Sequence, residues 1–113
     1  HHNLETAEEA GVSVSVLNSM GGAANSEVWT QIKADVTGKP IQVPASDTAT
    51  ALGAAILAGV GIGVYSDFQQ AVEQTIQIKR IHYPNQDNYH TYQIGYRLYR
   101  ELYERLKDLM AKY

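Results

Sequence analysis

The chain has 113 residues, enough for one small domain, with a formal net charge of −3 and a calculated pI near 5.7. That acidic balance excludes the broad basic surface that nucleic acid selects, so no nucleic-acid partner is expected. The chain has no cysteine, which excludes disulfides and thiol nucleophiles.

His1-His2 reads as the remnant of an expression tag, and residues 1–3 as a disordered start outside the fold. Leu4 to Ala10 is helical and is stopped by Gly11. With no initiator Met and no signal peptide before it, the chain is expected to be a piece of a longer protein. In Val12-Ser13-Val14-Ser15-Val16-Leu17 the valines share one face at period two, the pattern of a first strand.

Ser19-Met20-Gly21-Gly22-Ala23-Ala24-Asn25-Ser26 follows, with two glycines and two alanines where strand gives way to helix. So little side chain lets backbone approach a ligand closely. A helix N-terminus adds free N–H groups and a partial positive charge, which suits a phosphate. Taken alone, the motif is also compatible with a tight turn that serves structure only.

The next helix covers Glu27 to Val36, with Val28, Trp29, Ile32 and Val36 at helical spacing. Asn25 or Ser26 is placed to cap it, Glu27 complements the dipole, and Gly38 and Pro40 end it. Ile41-Gln42-Val43 reads as a second strand ended by Pro44, which makes a βαβ unit with parallel strands. Asp35, at a helix end, is read as structural.

Ser46 or Asp47 is expected to cap a helix from about Thr48 to Leu57 or beyond. Its Ala49, Ala51, Gly53, Ala54, Ala55 and Ala58 give a flat face, and Gly59, Gly61 and Gly63 break it. The apolar run from Ala51 to Val64 is shorter than the roughly 20 residues a membrane helix needs, so no membrane partner is expected. Tyr65-Ser66-Asp67 opens another helix with Phe68, Ala71, Val72 and Ile76 inward; residues Ile76 to Ile81 fit a short strand or an extended loop.

Pro84 to Asn88 is a polar turn, flanked by His82 and His90 as solvated side chains. The last helix runs from near Asp87 to about Ala111 and carries Tyr89, Tyr92, Tyr96, Tyr99 and Tyr103 in steps of three and four. Such a stripe is read as a docking face, with a stacking platform for bases or sugars as the alternative. No pair of side chains has metal-ligand spacing.

Three blocks in series resemble the carboxy-terminal end of the FGGY carbohydrate kinases, nearest the xylulokinase branch. They are Gly21-Gly22-Ala23-Ala24-Asn25-Ser26 followed by Trp29 and Gln31; Ala34-Asp35-Val36-Thr37-Gly38-Lys39-Pro40-Ile41; and Thr50-Ala51-Leu52-Gly53-Ala54-Ala55 running into Ala58 and Gly63. The Tyr-rich helix is similar to the family's closing helix. The resemblance covers nearly all of residues 11 to 110. It implies an α/β fold, part of a ribonuclease-H-like (actin-like ATPase) domain, with short parallel strands, packing helices and a long C-terminal helix. Residues 4–113 would then be the C-terminal, nucleotide-side part of the second kinase domain.

By this resemblance the cofactors are ATP and Mg²⁺, and the parent is a cytoplasmic kinase that moves the γ-phosphate to a sugar hydroxyl, first of all D-xylulose. Glycerol, gluconate and ribulose are the alternative acceptors. The adenosine motif falls on Gly21, Gly22, Ala23, Asn25 and Ser26, while Ala51, Leu52 and Gly53 are scaffold. The family commonly has a third glycine at Ala23, often a lysine at Asn25 and frequently an acidic residue near Ala49. Ala23 restricts the backbone, and Asn25 keeps hydrogen bonding without the charge.

Phosphoryl transfer needs an in-line nucleophile, a base and a neutralised phosphate clamp. The family's catalytic Asp and most sugar contacts lie upstream of the matched region, so the chain alone is expected not to phosphorylate sugar; an Asp-dependent kinase rate from the purified chain would contradict this. Two strands make a poor sheet, so homo-oligomerisation or further strand pairing is expected to cover its open edges. A non-catalytic nucleotide-binding or interaction module of the same superfamily is the alternative to an enzyme fragment.

Overall fold

The computed structural model describes residues 1–46 and 48–112. Helix α1 (His2–Glu9) leads by an irregular segment to β1 (Leu17–Asn18); a 3-10 turn (Gly22–Asn25) then runs into α2 (Glu27–Thr37) and β2 (Ile41–Pro44). Helices α3 (Ala49–Gly61) and α4 (Phe68–Thr75) follow, then β3 (Ile78–His82) and the long α5 (Gln86–Met110). The three strands form one sheet in the order β1-β2-β3, with β1 parallel and β3 antiparallel to β2.

The βαβ unit forms as its sequence predicts. Ser26 caps α2, its Oγ accepting from the Trp29 amide at 3.2 Å, and Gly38 closes the helix in the left-handed region at φ 69°. A Cβ at Gly38 would also lie 2.7 Å from the Tyr89 ring, so the same glycine lets α5 approach α2. The first strand is much shorter than the valine alternation predicts. Val12 to Val16 lies outside the ladder, because the parallel register Leu17↔Ile41 and Asn18↔Gln42 would set it against residues 36–40, which are the end of α2 and the turn before β2 begins at Ile41. The undecided stretch after α4 is a strand, and its pairing with β2 supplies the third strand that the sheet needs.

The burial of α2 also departs from expectation. Thr30, Ala34 and Asp35 are buried, whereas Val28 is 71% and Trp29 49% exposed. The helix lies against β2 and β3 on one side and α5 on another, so its inner face is partly polar. Ile41 and Val43, two apart on β2, form the apolar centre beside it.

Further along, Thr48 is the N-cap residue of α3 and makes no side-chain cap bond, while Ser46 Oγ accepts from the Thr48 amide at 3.3 Å. The cap expected at Asp47 lies outside the described residues. The helix runs through Gly59, which is buried beside the Tyr65 ring, and its flat alanine face at Ala51, Ala54, Ala55 and Ala58 is exposed. Asp67 caps α4 by accepting from the Gln70 amide at 2.8 Å; Ala71 is buried there, and Phe68 and Val72 are exposed.

Helix α1 begins at His2, so the first two residues enter the fold rather than stand outside it. His1 packs edge-on to Tyr96 at 4.4 Å between ring centres. Tyr96 donates to Glu5 at 2.6 Å, and Arg100 pairs with the same carboxylate at 2.7 Å. The tyrosine stripe therefore docks at Tyr89 and Tyr96, while Tyr99 and Tyr103 are exposed.

Candidate functional site

The Gly-Gly turn starts where the parallel pair ends. The Ser19 amide donates to the Gln42 carbonyl at 2.8 Å and closes the ladder. The Ser19 side chain is buried, and its Oγ accepts from Lys33 Nζ on α2 at 2.9 Å. Chain entry to the turn is therefore fixed from both β2 and α2. Gly21 then adopts φ 83° and ψ −180°, a region open in practice only to glycine. The Ala24 amide donates to the Gly21 carbonyl at 2.9 Å and forms the 3-10 turn, after which Ser26 turns the chain into α2.

Gly21, Gly22, Ala23, Asn25 and Ser26 are all exposed, and Ala24 is buried. A Cβ built at Gly21 or Gly22 would meet nothing within 4 Å. The outer side of the turn is thus open, with no bulky neighbour across it. The first amides of the 3-10 turn and of α2 have no carbonyl available one turn earlier, and the dipole of α2 points its positive end here. Small side chains, open space and free donors would accommodate a nucleotide against this turn.

Behind the turn lies a polar network whose central member, Arg80, the sequence reading did not single out. Arg80 Nη2 donates to the carbonyl oxygen of Ala24, and its Nε donates to His82 Nε2 at 3.1 Å. Because a guanidinium can only donate, His82 Nε2 must accept; Nδ1, 3.1 Å from Gln31 Oε1, then carries the proton. Thr30 Oγ1 stands 3.1 Å from the same Nε2. His82 is therefore half-buried and engaged at both ring nitrogens rather than solvated, whereas His90 sits exposed on α5. The alternation Arg80, His82 within β3 places both on one face, a signal legible once that stretch is read as a strand.

Gln31 continues the network by donating to Asp35 Oδ1 at 2.8 Å and to the Tyr83 carbonyl at 2.9 Å. Asp35 also accepts from the Asn85 amide at 2.8 Å and from Asn88 Nδ2 at 2.9 Å. Burial pushes the Asp35 carboxyl up, but those three donors outweigh it and hold the group below the ordinary carboxylate value. The residue is structural, as its helix-end position predicts: it ties the start of α5 to α2. Among the described residues, no three His, Asp or Glu side chains converge on a position that would hold a metal ion.

Residues 1–62 match the C-terminal domain of the FGGY family of carbohydrate kinases. An autoinducer-2 kinase of Yersinia enterocolitica is 44% identical over 89 residues, covering 79% of this chain and 17% of that protein. An autoinducer-2 kinase of Salmonella paratyphi B is 38% identical over 106 residues, covering 94% of the chain and 20% of that protein. Among solved structures, a xylulose kinase from Rhodospirillum rubrum superposes with a TM-score of 0.81 at 26% identity, over 96% of this chain and 22% of that one. A gluconate kinase from Lactobacillus acidophilus gives 0.75 at 27% identity, over 81% and 18%. The chain spans about a fifth of the length of the curated relatives it matches.

Proposed function

The chain belongs to the FGGY family of carbohydrate kinases, and from that premise we propose that it forms the nucleotide-binding part of an ATP-dependent sugar kinase. Its α/β fold is that of the actin-like sugar kinases. The observation that carries the proposal is the open Gly-Gly turn feeding a capped helix. Gly21, Gly22, Ala23, Asn25 and Ser26 would lie along the adenosine of ATP or ADP, the backbone close to the ligand and Asn25 and Ser26 supplying polar contacts.

The parent kinase would transfer the γ-phosphoryl group to an acceptor hydroxyl. The hydroxyl oxygen bonds to phosphorus, the bond to ADP breaks, and the hydroxyl proton passes to a base. That base and the sugar site belong to parts of the kinase beyond this chain, so the chain alone supplies only the nucleotide side. Mg²⁺ would arrive with the phosphates of ATP; no residue of this chain is assigned to it.

Curated relatives at 38% and 44% identity are autoinducer-2 kinases, which makes autoinducer-2 the first acceptor to assay. D-xylulose is the second reading, supported by the xylulose kinases among the structural neighbours. We place such a kinase in the cytoplasm with its ATP, as a homo-oligomer; among the described residues no helix is long and apolar enough to cross a membrane.

Titration of ADP into the isotope-labelled parent kinase tests the site. The amides of Gly21 to Ser26 should shift together and saturate. Saturable binding that leaves those amides unmoved would remove the turn from the nucleotide site. Comparing kcat/KM for autoinducer-2 and D-xylulose then decides between the acceptors.

A further inference from the structure

We infer that Arg80 is a positioning residue for the nucleotide: it clamps the turn from behind and so sets the direction in which the turn's amides face the ligand. This rests on the nucleotide reading of residues 21–26. Five of those six residues are exposed, and Ala24 is the buried one. The entry to the turn is held at Ser19 and the exit by the cap at Ser26. Between them, the Ala24 carbonyl accepts from Arg80, which comes from a strand 56 positions away. A hydrogen bond from a guanidinium is stronger than one between neutral groups. It also fixes the Ala24–Asn25 peptide plane, and with it the direction of the Asn25 amide, because a carbonyl and the next amide turn as one unit.

The guanidinium is itself held in place. Its Nε donates to His82 Nε2, and His82 is braced by Thr30 and Gln31 of α2. Among the described residues, Arg80 makes no ion pair with a carboxylate. A guanidinium stays protonated, so Arg80 adds a positive field beneath a turn that would carry an anionic ligand. Two effects follow from one side chain: an oriented backbone and a favourable local potential. Both act on nucleotide and neither on sugar.

The test uses the full-length kinase that contains this chain, with Arg80→Met, which keeps much of the apolar stem and removes the donors, and Arg80→Lys, which keeps the charge and one reach toward Ala24. Arg80→Met should raise KM for ATP and Kd for ADP by about tenfold, and Arg80→Lys by about threefold, with KM for the acceptor unchanged. A purely structural role would lower Tm and leave that split absent. Arg80→Lys carries the same test if Arg80→Met fails to fold.

Binding of ADP by both variants within twofold of the unaltered kinase, while the amides of Gly21 to Ser26 still shift, would overturn the inference and leave the nucleotide site standing. ADP bound by the unaltered kinase away from those amides would overturn both.

Discussion

Replacing Asp35 with alanine is expected to lower the stability of the folded domain by about 3 kcal/mol, the largest effect of any single side chain away from the turn. The carboxylate is 2% exposed and accepts from the Asn85 amide, Asn88 and Gln31. Alanine leaves three donors facing a void, and α5 loses its tie to α2. Asn88 and the Asn85 amide belong to the first turn and cap of α5, so the helix start should loosen first.

The effect carries a pH signature. The folded carboxyl lies below its ordinary value of 3.8, so its stabilisation is complete above that value and is lost as the pH falls through the folded value. Urea denaturation of the parent kinase with and without Asp35→Ala, at about pH 7 and about pH 2.5, measures it, the gap narrowing in acid. Equal gaps at both pH values would assign the loss to packing alone.

Gly22→Leu should weaken ADP binding by about thirtyfold or more while leaving the melting temperature within a few degrees. The two glycines of the turn separate here. Gly21 sits at φ 83°, where any side chain strains the backbone, so its replacement mixes folding with binding. Gly22 has no positive φ and nothing within 4 Å of a Cβ. An added side chain there costs the fold little and stands in the open space that the proposed adenosine would occupy. Isothermal titration with ADP, paired with a thermal melt, gives both readings. Unaltered affinity would mean that the ligand does not approach the turn.

The relation between sequence and site is uneven for the same reason. The Gly-Gly turn, the cap at Ser26 and the stop at Gly38 were legible because each depends on neighbours within a few positions. The parts that support the turn were not. Arg80 and His82 look like ordinary polar residues of an undecided stretch until β3 pairs with β2 and brings them beneath Ala24 and Thr30. His82 is the sharpest case: beside Arg80, its partners Gln31 and Thr30 sit 51 and 52 positions away, and without them solvent is the natural expectation.

By itself the sequence determined the helices, the start and stop of α2, the parallel βαβ unit and the family, since propensity, capping and short motifs act over one or two turns of chain. Tertiary structure alone decided how far β1 extends, which face of α2 turns inward and what holds the turn from behind. A strand exists only as far as its partner does, so Val12 to Val16 stays outside the ladder despite its alternation, since β2 begins only at Ile41, opposite Leu17. A polar helix face can be buried only where distant donors and acceptors meet it, as His82, Asn85 and Asn88 meet Thr30, Gln31 and Asp35.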